Sequence, residues 1–255
     1  MNASSTQTAA TAPDLPDREA AIEARRAAAL SEVAPSLVVA GDSKWQARKS
    51  AKTKHLLLDA TLKALAEHGY ANTTTLLVTE IAAISRGAML HHFRTKGELI
   101  EAAIDYVMMR RTEQFFDDIT ALSEPERTEE IAGVEAVWQA MKTREYDAYL
   151  ELANASRTDP ELRAVFEPAS QRANRVWDES LPHLFPEWAD HSDAQELARD
   201  LISTTMKGLL MDFHLIEPRA RRARLRKLVA LVTKGLMRGD IPVPQVSAFE
   251  LSRVD

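Results

Sequence analysis

With 255 residues, 45% of them hydrophobic and 27% charged, the chain suits one large domain or two small ones and can fill a sizeable core. The absence of cysteine excludes disulfides, thiolate metal sites and cysteine nucleophiles. No apolar run reaches the roughly 18 residues of a membrane helix, and the N-terminus lacks the pattern of a secretory signal, so we expect a cytoplasmic protein without membrane contact.

The net charge of −6 conceals a basic segment. Residues 44–111 carry 11 Lys or Arg and 6 Asp or Glu, whereas the regions before and after this segment are acidic. Such a segment is typical of a small nucleic-acid-binding domain joined to another unit, although chance clustering gives the same balance.

Residues 1–43 are rich in Ala, Ser, Thr and Pro. A short helix could form between Asp17 and Glu32, but its large apolar residues are few, so it has little to bury. We therefore predict a mostly disordered tail over residues 1–43. The basic stretch that follows, residues 43–54, could be either an arm that contacts DNA or a solvated linker.

The next two predicted helices follow from leucine spacing and capping residues. Leucines at helical spacing mark a helix that Gly69 ends, because glycine is usual just past a helix C-terminus. Thr74 then offers a hydroxyl N-cap for a short helix from Thr75 to about Ala82.

A very short helix and a longer one are predicted after this pair. Ser85 is a second N-cap candidate, and the helix that it begins ends near Phe93. Residues 95–98 have the S/T-x-x-E form of a capping box, so a longer helix is expected to begin there. Two short helices joined by a tight turn inside a basic segment form the helix-turn-helix pattern.

The second helix of that pattern has to be short, capped at its N-terminus and lined with small or polar residues on its outer side. Small residues allow close approach to base edges, and an arginine reaches guanine or phosphate. Four consecutive residues meet these needs: Ser85, Arg86, Gly87 and Ala88. Met89 and Phe93 lie four residues apart and are expected to face the core.

The segment from Thr73 to Leu99, TTTLLVTEIAAISRGAMLHHFRTKGEL, resembles the N-terminal helix-turn-helix of the TetR family of transcriptional regulators. The resemblance needs no gap and covers about residues 53–105. It implies an all-α fold with an N-terminal three-helix DNA-binding domain, residues 44–111. A larger helical domain for ligand binding and dimerisation, residues 112–255, is implied to follow.

The resemblance also implies nine DNA contacts. Thr73 and Thr74 match positions that begin the first helix of the motif and touch a phosphate, and Lys96 matches a phosphate-binding lysine at a helix N-terminus. Leu90 and His91 match a pair that contacts backbone or bases. The full set is Thr73, Thr74, Ser85, Arg86, Gly87, Ala88, Leu90, His91 and Lys96.

Three residues depart from the family pattern. Ala83 stands in the turn where glycine is usual, so either the turn bends differently or alanine accepts an unfavourable backbone angle. Leu77 stands where an acid is common, which removes the reciprocal cap on Thr74. Leu90 stands where tyrosine is common, which removes one hydroxyl bond to phosphate.

Beyond residue 120, prolines separate further helices. Asp159 before Pro160 predicts a helix start, and Ser192 opens a long helix. A last helix is expected to stop at Gly239. We expect the last two helices to pack against those of a second copy in a four-helix dimer interface, where Gly208 allows close approach.

Residues of the middle helices are candidates for a small-molecule pocket, although ordinary core is the favoured interpretation of each one taken singly. They are Trp138, Met141, Tyr149, Asn154, Phe166, Trp177 and Met206. Arg172 and Arg175 would bind an acidic ligand if they turned inward and are otherwise surface residues. The adjacent His91 and His92 point about 100° apart on a helix and lack an acid ligand, so no metal site or cofactor is predicted.

These patterns favour a repressor that binds a near-palindromic DNA operator as a homodimer and is released by a small-molecule effector, not an enzyme. Two alternatives stay open. One is an all-α enzyme, although no nucleophile–base pair or phosphate loop supports it. The other is a protein-interaction module that retains the motif. The basic run over residues 219–227 is interpreted as a solvated face or as a partner for acids at a subunit contact.

Overall fold

The structure is a computed structural model, and it describes residues 15–34, 44–121, 132–184, 192–212 and 219–247. These segments contain ten helices and no strand, which confirms the all-α prediction. The helices are α1 (Leu15–Val33), α2 (Lys44–Asn72), α3 (Thr75–Ala82), α4 (Arg86–His92), α5 (Lys96–Thr120), α6 (Ala132–Ala140), α7 (Arg144–Ser156), α8 (Pro160–Leu184), α9 (Ser192–Met211) and α10 (Arg219–Arg238). Within the described segments, no helix has the length and apolarity needed to cross a bilayer.

Side-chain caps begin four helices at the residues predicted from the sequence. In each case the oxygen of the cap accepts the backbone N–H three residues further on, at 3.0 to 3.2 Å. Each cap satisfies one of the N–H groups that a helix start leaves without an internal partner. The caps are Thr74 for α3, Ser85 for α4, Thr95 for α5 and Asp159 for α8.

The N-terminal region differs from the predicted disordered tail, because residues 15–33 form α1. Ile22, Ala29 and Val33 lie on one face of this helix and are buried against the main core. The prediction was wrong for these residues because it counted only large side chains. A buried alanine completes the apolar stripe and lets the helix pack closely. The rest of the predicted tail lies outside the described residues.

The basic stretch 44–54 is also more ordered than the predicted arm or linker, since it forms the first turns of α2. The helical geometry of α2 breaks at Gly69, where φ is +78° and ψ is 165°, as predicted from the glycine. A Cβ atom at Gly69 would lie 3.0 Å from Oε1 of Glu151 on α7, so this glycine also permits a close contact between two parts of the chain.

Helix α5 connects the two parts of the fold. It packs against α2, α7 and α8 in the main core, where Tyr106 and Phe116 are fully buried. A second core lies between α6, α7, α9 and α10 and contains Trp138, Tyr146 and Met206. Because α5 runs without interruption from residue 96 to residue 120, it crosses the predicted domain boundary at residue 111 as one continuous element.

Candidate nucleic-acid interface and effector site

The turn between α3 and α4 depends on the backbone angle of Ala83. This residue has φ +53° and ψ +40° and is the one non-glycine residue of the described segments with a positive φ. The N–H groups of Ala83 and Ile84 donate to carbonyls of α3 at 3.2 and 3.1 Å. Alanine therefore accepts the unfavourable left-handed conformation, and the turn keeps the form that glycine would give it.

Helix α4 presents its N-terminal side outward. Met89 and Phe93 are buried, as predicted, and hold the opposite side of the helix against the core. Because the helix has only seven residues, this packing leaves most of its other side chains on the surface. Ala88 is half-buried, and the exposed predicted contacts at α4 are Ser85, Arg86, Gly87, Leu90 and His91.

The two threonines before α3 have different roles. Thr74 is exposed and caps α3. Thr73 is only 1% exposed, and its hydroxyl and its N–H both donate to the carbonyl of Gly69, at 2.8 and 3.1 Å. The predicted phosphate contact of Thr73 is therefore wrong, because its donors close the end of α2 and its side chain is inaccessible.

Lys96 begins α5 and lies beside Tyr70 at the end of α2. Its Nζ donates to the carbonyl oxygen of Tyr70 at 3.4 Å and lies 4.9 Å from the centre of the tyrosine ring. An ammonium group has three donors, so this arrangement orients Lys96 and leaves donors for a phosphate. Nearby, burial lowers the pKa of His92, and the neighbouring His91 and Lys54 lower it further.

Tyr70 also contacts the second part of the fold, a role that the sequence analysis missed. Its backbone N–H donates to Oε1 of Glu151 on α7 at 2.8 Å, and its hydroxyl donates to Oδ2 of Asp159 at 3.3 Å. Burial raises the pKa of Tyr70, and Asp159 raises it further, so the hydroxyl remains a donor. Tyr70 thus links the helix-turn-helix to α7 and to the start of α8.

The predicted pocket residues fall into two groups that meet at Tyr149. Phe166 and Trp177 join Tyr149 in the main core, where the Tyr149 and Phe166 ring centres are 5.7 Å apart. Tyr149 also packs against the second core, which contains the remaining apolar candidates, Trp138, Met141 and Met206. Asn154 is exposed and does not join either group, so its assignment to a pocket is wrong.

Neither arginine proposed for an acidic ligand turns inward. Arg172 forms an ion pair with Asp105 at 2.7 Å, and Arg175 is exposed. A different arginine, Arg111 of α5, lies among the candidates Tyr149 and Trp177, and the pocket prediction did not include it. Its guanidinium carbon is 3.7 Å from the ring centre of Tyr149 and 4.9 Å from that of Trp177.

The basic run on α10 is divided between several environments. Arg226 forms an ion pair with Glu135 of α6 at 2.6 Å and lies over the ring of Trp138. Arg222 is buried, whereas Arg219, Arg221, Arg224 and Lys227 are exposed. The run is therefore a solvated face in part, and Arg226 joins two helices of the same chain.

The chain is similar to known transcriptional regulators that contain a helix-turn-helix. The family model described as "Bacterial regulatory proteins, tetR family" matches residues 57–103. The HTH-type transcriptional regulator CymR of Pseudomonas putida is 30% identical over 166 residues, which cover 64% of this chain and 80% of CymR. An uncharacterised HTH-type regulator of Mycobacterium tuberculosis is 25% identical over 201 residues, covering 76% of this chain and all of the relative.

The fold has counterparts among solved structures. A TetR family member from Streptomyces coelicolor superimposes with a TM-score of 0.52 at 16% identity, covering 76% of this chain and 99% of the other. The structural similarity at 16% identity supports only the fold. The match to CymR, which is 30% identical and covers 80% of that protein, supports the family assignment. The chain belongs to the TetR family of DNA-binding transcriptional regulators.

Proposed function

We propose that the chain is a cytoplasmic, dimeric repressor that binds a near-palindromic operator and is released by a small-molecule effector. It acts by binding alone, without a cofactor or a catalytic step. The observation that carries the proposal is Tyr70, which contacts both the DNA-facing Lys96 and the helix that carries the pocket candidate Tyr149. A shift of α7 would move Tyr70 and with it the position of Lys96.

DNA recognition in this proposal uses the exposed side of α4. Arg86 is the first residue of α4, so its side chain extends from the N-terminal end of the helix and would reach base edges in the major groove. A Cβ atom at Gly87 would meet nothing within 4 Å, so the backbone there is open to close approach by DNA. Thr74 and Lys96 flank the helix and would contact phosphates. The exposed Arg48, Lys49 and Lys52 on the first turns of α2 would add positive charge.

An exposed apolar stripe on α9 and α10 supports dimerisation. Leu197 and Met211 lie on one face of α9 with Gly208, where a Cβ atom would meet nothing within 4 Å. Leu228 and Leu231 are exposed on α10, which packs beside α9. Two copies joined through these helices would present their α4 helices to successive major grooves, about 34–36 Å apart.

Selection of bound duplexes from a random DNA pool at fixed salt tests the proposal. The expected product is an inverted repeat whose half-sites lie about 10 base pairs apart, or a multiple of that distance. Operator affinity should fall steeply as salt rises, because phosphate contacts release counterions. Enrichment of no sequence, or of single half-sites only, would contradict the dimeric operator-binding role.

A further inference from the structure

Arg111 occupies a position on α5 that apolar residues would normally fill. It lies on the same helical face as Ile104, Met108 and Phe115, which are buried or partly buried in the main core. The guanidinium group is surrounded by rings on both sides of the boundary between the two cores. A charged side chain at such a position is costly unless a counter-ion or hydrogen bonds compensate it.

No carboxylate in the described part of the chain lies within ion-pair distance of Arg111. Its contacts are the sulfur of Met108, at 3.7 Å from one guanidinium nitrogen, and the rings of Tyr149, Trp177 and Tyr146. The ring of Tyr146 is centred 5.1 Å from the guanidinium carbon. Burial lowers the pKa of Arg111, and the neighbouring Tyr149 and Tyr146 oppose this shift.

The neighbouring Arg110 has carboxylate partners, although its Nε is buried and makes no hydrogen bond with the described part of the chain. Arg110 forms an ion pair with Glu113 and lies 3.7 Å from Glu145. Other arginines of the described segments, such as Arg144 and Arg172, also pair with carboxylates. Among the described residues, the lack of a carboxylate partner at Arg111 is therefore not a general property of the arginines in this part of the fold.

The hydroxyl of Tyr146 belongs to the same aromatic cluster as Arg111. The hydroxyl of Tyr146 is buried and makes no hydrogen bond with the described part of the chain. Burial raises the pKa of Tyr146, so the group stays protonated and can donate. Most buried polar atoms in native proteins find a partner, so the free Tyr146 hydroxyl and a guanidinium group with no carboxylate near it in the described segments leave donors that are available to a ligand.

We propose that the region between Arg111 and Tyr146 binds the effector, and that the effector is a small monocarboxylate with an apolar body. The proposal rests on the ligand response proposed above and names the chemical class of the ligand. The carboxylate would accept hydrogen bonds from the guanidinium group and from the tyrosine hydroxyl. Tyr149, Phe166 and Trp177 would contact the apolar body.

A monocarboxylate suits this site better than a phosphate group. One guanidinium neutralises one carboxylate and binds it with two parallel hydrogen bonds. A phosphate dianion would leave an uncompensated charge among aromatic rings, since the cluster contains one arginine.

The site would act on DNA binding through the two helices that form it. Arg111 lies on α5, which begins at Lys96, and Tyr146 and Tyr149 lie on α7, which holds Tyr70 through Glu151. A carboxylate held between Arg111 and Tyr146 would change the separation of α5 and α7. That change would reach the DNA-facing end of the fold through both helices.

Calorimetry on the full-length protein with benzoate and hexanoate tests the site, with benzamide and hexanamide as neutral controls of the same shape. We expect at least one carboxylate to bind with a Kd at least tenfold lower than that of its amide. Arg111→Met should abolish this preference, and Tyr146→Phe should weaken carboxylate binding several-fold. Arg110→Met is the matched control and should bind like the original chain.

Stability measurements keep the test valid if carboxylate binding is lost. Arg111→Met removes a partly buried charge that has no carboxylate partner in the described part of the chain. We therefore expect it to raise the Tm of the ligand-free protein and to remove the rise in Tm that the carboxylate produces. Arg111→Lys serves as a second variant if Arg111→Met fails to fold. Three results would overturn the proposal. They are equal binding of the acids and their amides, unchanged carboxylate binding by Arg111→Met, and no binding of either acid at about 10 mM, which is on the order of the weakest specific affinities.

The outcome for the site and the outcome for the proposed function are separable. If a carboxylate binds at Arg111 and releases the selected operator DNA, both are supported. If a carboxylate binds there and the operator affinity does not change, the anion site is supported and the role of its ligand as effector is overturned. If only a neutral molecule releases the operator, the repressor function is supported and the anion site is overturned.

Discussion

The backbone N–H of Tyr70 donates a hydrogen bond of 2.8 Å to the carboxylate of Glu151, which joins the end of α2 to the middle of α7. Gly69 makes this approach possible, because a side chain there would stand 3.0 Å from the carboxylate oxygen. The bond is formed by residues 81 positions apart, so it depends on the packing of the two parts of the fold.

Replacing Glu151 by alanine should lower the free energy of unfolding by about 1–3 kcal/mol, because the partly buried N–H of Tyr70 loses a charged acceptor. Urea denaturation measures the change. Glu167→Ala is the control, since its carboxylate lies 3.9 Å from Arg163 at the surface and should contribute about 0.5 kcal/mol or less. Equal losses for the two variants would contradict the structural role of Glu151.

Ala83→Gly should stabilise the protein by about 0.5–1 kcal/mol, because glycine adopts the left-handed backbone angle without strain. The net gain is smaller than the strain relieved, since glycine also raises the conformational entropy of the unfolded chain. Thermal unfolding should show a rise in Tm of about 1–4 °C. The adjacent Ala82→Gly changes the last residue of α3, which has ordinary helical angles, and should instead lower stability by up to about 1 kcal/mol. A fall in Tm for Ala83→Gly would count against the described turn.

Two adjacent alanines of α1 provide a test of its packing. Ala29 is fully buried, whereas Ala28 is exposed. Ala29→Asp should cost at least about 2 kcal/mol, because it places a carboxylate in the main core, and Ala28→Asp should change stability by about 0.5 kcal/mol or less. Chemical denaturation distinguishes them, and similar results for both would favour the disordered tail that the sequence predicts.

Gly208→Arg should disrupt the proposed dimer and leave the monomer folded, because the space around this glycine is open within one chain and would be filled by a second copy. Light scattering should give about twice the chain mass of 28.4 kDa for the original protein and the chain mass for the variant. Gln171→Arg, at an exposed position on α8, should remain dimeric. A monomeric original protein would refute the dimer.

Arg86→Ala should weaken binding to the selected operator by about 1–3 kcal/mol and relax its sequence preference, without changing the oligomeric state. Fluorescence anisotropy with labelled DNA measures the affinity. Arg175→Ala, which removes an exposed arginine of α8, should bind as tightly as the original protein. Unchanged affinity for Arg86→Ala would mean that α4 is not the recognition helix.

Local signals in the sequence predict the helix-turn-helix well, because caps and turns depend on neighbouring residues. The hydroxyls of Thr74 and Ser85 begin α3 and α4 at the predicted positions. The DNA contact predicted for Thr73 was wrong because the hydroxyl of this residue donates to the carbonyl of Gly69 and is buried. Residue spacing alone does not reveal that hydrogen bond. The sequence offers no local sign of the contact between Tyr70 and Glu151, since it depends on how α2 meets α7.

Arg111 shows which signal the sequence did contain. Its position continues the apolar stripe of Ile104, Met108 and Phe115, so helical spacing alone places an arginine on the apolar face of α5. The neighbouring Arg110 obscured the pattern, because two consecutive arginines suggest a solvated surface. That no carboxylate of the described residues lies near Arg111 follows only from the positions of the helices around it.

Helix α1 has a practical consequence for shortened versions of this protein. A fragment begun at Lys44, where the helix-turn-helix region starts, would keep every DNA-facing residue. It would also uncover the surface of α5 and α8 on which Ile22, Ala29 and Val33 rest, and would remove the bond from Arg25 to Ser180. Such a fragment should self-associate and precipitate more readily than the full chain, because a contiguous apolar surface would be exposed to water.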